Sequence, residues 1–260
     1  MKTVILCGGQ GTRIRDVSSD VPKPMLPIGG RPILWHIMKI YAAAGHQDFV
    51  LCLGYKAHVI KEFFLNYQAY TNDLTVTLGQ DKAVEYHSDH DETGWQITLA
   101  DTGIEAMTGA RVKRIQKYIG DDDTFMLTYG DGVSNVDIAA LLEFHNSHGK
   151  MLTVTGVRPP SRFGEIDTAE DGQVTEFNEK PQSIGGRISG GFFVCNRKIF
   201  EHLNDSEDLV LEQEPMRQLA EDGEMMLYEH NDFWQCMDTN RDYNLLNGLW
   251  GDNKAPWRVW

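Results

Sequence analysis

Thr3-Val-Ile-Leu-Cys7 is a continuous apolar run that stops abruptly at Gly8-Gly9-Gln10-Gly11-Thr12-Arg13. A short run without polar alternation predicts a strand buried on both faces, the kind found in parallel sheets covered by helices. The next residues follow the same logic. From Pro32 to Ala44, Leu34, Ile37, Met38 and Tyr41 recur at helical spacing, with Pro32 near the first turn and Gly45 just past the end. Phe49-Val-Leu-Cys-Leu53 reads as a second buried strand, and residues 57–67 as a helix with Val59, Ile60, Phe63 and Phe64 on one side. Strand, helix, strand, helix with short joints predicts βαβ units on a parallel sheet.

Further on, the pattern predicts strands at 74–78, 96–100, 125–129, 151–157, 172–177, 190–195, 225–229 and 233–237. Helices are predicted at 111–119, 138–148, 210–220 and 241–250, and residues 85–92 read as a polar loop. His87 and His90 in that loop lack a further ligand at helical spacing, so a solvated loop accounts for them. With 260 residues and no Pro/Gly/Ser linker, the chain reads as one α/β domain with a smaller strand-rich part near 160–230.

Composition narrows the function. The net charge is −14, which disfavours nucleic acid and anionic membrane surfaces as bulk partners. Residues 1–31 run against the average: Lys2, Arg13, Arg15, Lys23 and Arg31 outweigh Asp16 and Asp20, which suggests a small anion site. No stretch approaches the roughly 18 apolar residues of a membrane span, and the N-terminal run is too short for a signal peptide. Cys7, Cys52, Cys195 and Cys236 form no CxxC pair, and the three of them that sit inside apolar, strand-like runs read as small buried hydrophobes. A soluble, cytoplasmic protein is the expectation.

Glycines directly after a buried strand let backbone N–H groups curl around an anion, and Arg13 adds a fork of donors. A dinucleotide fingerprint would need glycine where Ile14 stands, and no GKS or GKT completes a Walker loop. Lys23 sits between Pro22 and Pro24, a stiff extended setting that aims its ammonium. Asp131 and Asp238 each follow a predicted strand, at the carboxyl edge where open α/β sheets keep their ligands. Two such carboxylates beside a phosphate loop suit Mg²⁺ bridging phosphate oxygens, although either could instead cap a helix. Asp121-Asp122-Asp123 contains a DxD but precedes its strand, at the wrong end for such a site. Lys180, braced by Pro181, offers a second anion contact, and Gly190-Gly191 would let a sugar ring lie against backbone.

Taken in order, Gly8-Gly9-x-Gly11-Thr12-Arg13, Lys23-Pro24-Met25-Leu26-Pro27, Gly130-Asp131, Glu179-Lys180-Pro181 and Trp234 with Met237-Asp238-Thr239 resemble the sugar-1-phosphate nucleotidyltransferases over the whole chain. The resemblance implies a Rossmann-like, mostly parallel mixed sheet flanked by helices, of the GT-A-like kind. A nucleotide-binding part would span about 1–158 plus 232–250, and a sugar-phosphate-binding subdomain about 159–231. Leu6, Gly8, Gly9, Gly11, Thr12, Arg13, Lys23, Ala106, Arg111 and Gly130 would hold the nucleotide, with residues 101–111 over the base. Gly164, Glu179, Lys180, Gly190, Gly191 and Trp234 would hold the sugar phosphate. Arg13, Lys23, Asp131 and Asp238 would form the catalytic set, the two acids binding Mg²⁺. Pro32-Ile-Leu-Trp-His-Ile-Met38, Arg162-Phe-Gly164 and Lys254-Ala-Pro-Trp257 point within the family to CTP and glucose 1-phosphate. UTP, dTTP and other sugar epimers stay open, as do a nucleotide-sugar glycosyltransferase and a non-catalytic relative. A homo-oligomer, of hexameric form, is also implied. Cys7, Gln10, Ile14 and Ser189 depart from the usual family pattern.

Overall fold

The computed structural model describes residues 1–14, 20–79, 83–159, 165–168, 173–178 and 186–260. Seven strands make the central sheet: β1 (Thr3–Leu6), β2 (Asp48–Leu53), β3 (Gln96–Asp101), β4 (Thr124–Tyr129), β5 (Leu152–Val157), β6 (Ile188–Asn196) and β7 (Met225–Glu229). Their order is β7-β5-β6-β4-β1-β2-β3, and within it β6 runs antiparallel to both neighbours while the other pairs are parallel. The chain leaves β1 in one direction for β2 and β3, then returns to place β4 on the other side. That reversal opens a crevice above the carboxyl ends of β1 and β4, where open α/β sheets bind ligands.

The main helices are α1 (Ile33–Ala43), α2 (Ala57–Leu65), α3 (Thr108–Arg114), α4 (Ile138–His148), α5 (Glu214–Glu221) and α6 (Asn240–Gly251). Ile5 and Cys7 enter one core with α1, α2, α4 and α6, whereas Val4 and Leu6 enter a second core with α3 and α5. Both faces of β1 are therefore buried, which is why its residues are apolar without alternation. Later strands extend this single frame: β6 and β7 from the second half of the chain belong to the central sheet, and 165–168 with 174–178 form a separate hairpin.

Several elements differ from the sequence reading. Helix α2 stops at Leu65, where the Asn66 side chain bonds back to the Glu62 carbonyl, and a separate short helix covers Tyr67–Thr71. Glu85 and Tyr86 lie in a strand, Ala83–Tyr86, paired antiparallel with Leu74–Thr77. The 74–78 strand stands where the sequence placed it, but Ala83–Tyr86 is exposed throughout, so no hydrophobic alternation announced it. The 111–119 helix begins earlier, at Thr108, and breaks at Ile115 before Gln116–Ile119. The 210–220 helix begins only at Glu214, with Pro215 in its first turn.

His36 on α1 is fully buried among Trp35, Trp250, Trp257 and Trp260. Its Nε2 donates to the Ile28 carbonyl at 2.9 Å, and its Nδ1 accepts from Trp257 Nε1 at 3.4 Å. The neutral ring thus uses both nitrogens, and burial lowers its pKa to about 4. Between 6.5, the ordinary value, and about 4, the unfolded chain binds the proton and the folded chain does not. Stability from this site is therefore complete above the upper value and declines as pH falls across the window, by on the order of 3 kcal/mol in total. An NMR titration is expected to find the His36 imidazole still neutral at pH about 5.5; a midpoint near the ordinary value would contradict this account.

Candidate active site

Three segments meet at the crevice. The first is the glycine turn after β1. Gly8 accepts from Tyr55 N at 3.1 Å and from Arg111 Nη2 at 3.1 Å, and a Cβ on Gly8 would lie 2.2 Å from the Arg111 guanidinium. Only glycine fits there. Gly11 takes a left-handed φ of 59°, and a 3₁₀ turn over Thr12–Ile14 follows. The Arg13 side chain lies outside the described residues.

The second segment carries Lys23. Pro22 is extended, and Lys23–Met25 form a 3₁₀ turn closed by Met25 N on the Pro22 carbonyl at 2.8 Å. Lys23 Nζ donates to Asp131 Oδ2 at 2.6 Å and to Asp238 Oδ1. Burial pulls the Lys23 pKa down, but the two carboxylates outweigh it and hold the ammonium above its ordinary value. Lys23 is therefore a permanent cation at neutral pH.

The third segment explains how acids so far apart in sequence meet. Gly132–Ser134, directly after Asp131, pairs antiparallel with Trp234–Cys236, directly before Met237 and Asp238. Met237 N also donates to the Asp131 carbonyl at 2.8 Å. Asp238 does not cap α6: the cap is Thr239, in a reciprocal capping box with Asp242. Its carboxylate is directed instead to the crevice, where it accepts from Lys23. Asp121–Asp123 lie at the opposite end of β4 from Asp131.

Two cavities adjoin this cluster. The larger, about 310 Å³, is lined by Leu6, Gly8, Gly9, Gly11, Thr12, Lys23, Ala106, Arg111, Gly130 and Asp131 among others. The smaller, about 180 Å³, is lined by Gly190, Gly191, Trp234, Asp131 and Asp238 with their neighbours. Tyr129 and Asp131 line both. Trp234 Nε1 donates to the Gly190 carbonyl at 2.7 Å, which fixes the indole at the smaller cavity. Gly191 has a φ of 77°, and a Cβ there would strike the Tyr129 ring at 2.5 Å. Gly164, Glu179 and Lys180 lie outside the described residues.

Arg111 does more than line the larger cavity. Its guanidinium is buried and donates to the carbonyls of Leu53, Gly8, Gly103 and Ile104 and to Thr102 Oγ1, at 2.7–3.2 Å. It thereby ties the glycine turn to the end of β2 and to the loop after β3. Burial lowers its pKa, and all of these bonds come from Nη1 and Nη2.

Sequence reasoning did not single out Tyr129 or Thr108, both of which line the larger cavity. An aromatic residue at the end of an apolar strand carries the signature of core, so only its position next to Gly130-Asp131 could have marked Tyr129. Among the described residues no group of three or more His, Cys, Asp or Glu side chains forms a metal cage. The donor set that exists is a pair of hard carboxylate oxygens already gathered around one cation. That suits an ion such as Mg²⁺, which takes one or two carboxylates and completes its shell with water and phosphate oxygens.

The family model described as "Nucleotidyl transferase" matches residues 2–244. A glucose-1-phosphate cytidylyltransferase from Salmonella typhi is 49% identical over 260 residues, covering all of both chains. A probable glucose-1-phosphate cytidylyltransferase from Bacillus subtilis is 44% identical, again over all of both chains. The crystal structure of HddC from Yersinia pseudotuberculosis superposes with a TM-score of 0.67 at 24% identity, over 96% of this chain and 99% of that one. At that identity the superposition speaks to the fold.

Proposed function

This chain belongs to the nucleotidyl transferase family, and from that premise we propose that it transfers a cytidylyl group from CTP to α-D-glucose 1-phosphate, releasing pyrophosphate and forming CDP-glucose. The observation that carries the reading is the meeting of Lys23, Asp131 and Asp238 at the junction of two cavities that share Asp131. One cavity accepts the triphosphate and the other the sugar phosphate. The choice of CTP and glucose draws support from the relatives' substrates.

In this reading the triphosphate lies along the Gly8–Gly11 turn with Thr12 and Arg13, and the base lies under the loop that carries Ala106. The sugar lies on Gly190, Gly191 and Trp234, with Gly164 and Glu179 at its hydroxyls and Lys180 at its phosphate. A phosphate oxygen of the sugar attacks the α-phosphorus in line, and the bond to the pyrophosphate leaving group breaks. A phosphate monoester loses its second proton near pH 6, so at neutral pH the nucleophile is already a dianion and needs no protein base. The barrier is the approach of one polyanion to another. Arg13, Lys23 and Lys180 offset that repulsion and hold the two phosphates in line. Asp131 and Asp238 would hold Mg²⁺, the divalent ion we assign here, which when bound neutralises charge on the phosphate oxygens. Lys23 keeps the acid pair from standing as two bare negative charges and presents its ammonium to the phosphates.

We extend the reading to a homo-oligomer, hexameric in form. Leu65, Tyr70, Val76, Leu78 and Val84 supply exposed apolar area that supports a self-contact. Light scattering on the purified protein measures the assembly directly.

A matrix of CTP, UTP, dTTP, ATP and GTP against several sugar 1-phosphates, scored by pyrophosphate release with and without Mg²⁺, tests the function. The CTP and glucose 1-phosphate pair is expected to dominate. Dominance of another pair would replace the substrates, and no release with any pair would leave a binding protein.

A further inference from the structure

Alternate residues of the segment between β6 and α5, Glu207, Leu209 and Leu211, bond through their backbone to the start of α3. The Glu207 carbonyl accepts from Met107 N at 2.8 Å, and the Leu209 carbonyl accepts from Gly109 N at 2.9 Å and Ala110 N at 3.1 Å. Leu211 N donates to Thr108 Oγ1 at 2.9 Å. These contacts satisfy first-turn amides that a helix leaves without internal partners. They also deliver Glu212 to a defined place. Thr108 Oγ1 donates to Glu212 Oε2 at 2.6 Å, and the Tyr129 hydroxyl donates to Glu212 Oε1.

The two hydroxyls belong to different walls. Thr108 lines the larger cavity, and Tyr129 lines both, with its ring against Gly191. Burial, with the Glu212 carboxylate beside it, raises the Tyr129 pKa well above the ordinary phenol value, so the hydroxyl remains a donor. Among the described residues Glu212 makes no ion pair with any lysine, arginine or histidine. Glu212 is exposed to solvent, which screens its charge, and both of its oxygens accept from neutral hydroxyls, so its bonds serve to place Thr108 and Tyr129.

We propose that Glu212 is a positioning residue that couples the two cavities: by holding Thr108 and Tyr129 at once, it makes occupation of one side favour occupation of the other. The inference rests on the reading above that one cavity takes the nucleotide and the other the sugar phosphate. Nucleotide that orders the wall at Thr108 fixes Glu212, and through it the Tyr129 ring that bounds the sugar side. By linkage the effect runs equally in the opposite direction.

Calorimetry with α,β-methylene CTP, which binds but cannot be cleaved at the α-phosphorus, measures this coupling. In the wild type, saturating glucose 1-phosphate is expected to tighten the analogue by about 5-fold or more, the usual lower range for coupled sites. In Glu212→Ala and in Tyr129→Phe that factor is expected to fall below about 2-fold, and in Glu212→Ala, whose side chain lines neither cavity, affinity for the analogue alone is expected to change less than about 3-fold. Glu207 and Leu209 still hold the start of α3 in both variants, and a general loosening of the nucleotide wall would move the analogue's own affinity. Should Glu212→Ala not fold, Tyr129→Phe removes a single oxygen and carries the test. A wild-type coupling factor in the folded variants, or no coupling in the wild type, overturns the inference. If the substrate matrix selects another pair, the analogue and sugar phosphate are taken from that pair. The specificity reading then fails while the coupling is still measured.

Discussion

Lys23→Ala is expected to lower kcat by roughly 10²–10³-fold, the range for removal of one preorganised charge-stabilising group. The side chain has one conformational task and one chemical task, and they differ in size. Structurally it separates Asp131 and Asp238, which would otherwise face each other as like charges. The site is partly open to water, so that repulsion is expected to cost about 1–2 kcal/mol, or a few degrees in Tm for a chain of this length. In the proposed reaction the ammonium meets phosphate oxygens whose charge rearranges in the transition state. That task is expected to cost about 3–4 kcal/mol of barrier. The variant should therefore be folded and slow, and divalent ions should raise its Tm more than they raise that of the wild type. Pyrophosphate release and a melting curve on the same preparation decide it. Near-normal turnover in a folded Lys23→Ala protein would remove Lys23 from the chemistry.

Asp131→Asn is expected to lose the Mg²⁺-dependent reaction, by about 10³-fold or more at sub-millimolar Mg²⁺. The substitution keeps the shape and one acceptor for Lys23 but removes the charge at the point shared by both cavities. An amide oxygen is a poor replacement for a carboxylate toward a hard dication. The fold is expected to persist, because relieving the repulsion between Asp131 and Asp238 offsets the weaker bond to Lys23. Turnover measured against Mg²⁺ concentration, with Mn²⁺ binding read by electron paramagnetic resonance, separates a lost ligand from a damaged fold. Wild-type activity at low Mg²⁺ would exclude Asp131 as a metal ligand.

The parts of this molecule that were legible beforehand are those where one physical demand dictates residue type. β1 is buried on both faces and so reads as an unbroken apolar run; the turn that follows needs glycine because the Arg111 guanidinium occupies the space of a side chain. Asp131 and Asp238 were legible as strand-end acids. Sequence alone left open whether Asp238 caps a helix, since Thr239 and Asp242 had first to be seen forming that cap themselves. Residues 210–213 misled because an apolar rhythm was read as helix where Leu211 N bonds instead to Thr108 Oγ1 and Gln213 N closes a turn on the Val210 carbonyl. The strand at 74–78 was legible, but its antiparallel partner Ala83–Tyr86 left little trace because it buries no face. Glu212 had no local signal, because its partners come from two other elements of the fold.

The pairing of Gly132–Ser134 with Trp234–Cys236 has a consequence for synthesis on the ribosome. The glycine turn and Lys23 emerge early, and Asp131 near the midpoint, but Asp238 emerges only when most of the chain has left the exit tunnel. Under the roles proposed above, a chain made only as far as Asp131 would hold the glycine turn and Lys23 without the full acid pair, and is expected not to turn nucleotide over. Turnover is then expected only once Trp234–Cys236 has paired with Gly132–Ser134 and carried Asp238 to Asp131, so activity reports that synthesis has passed that pairing.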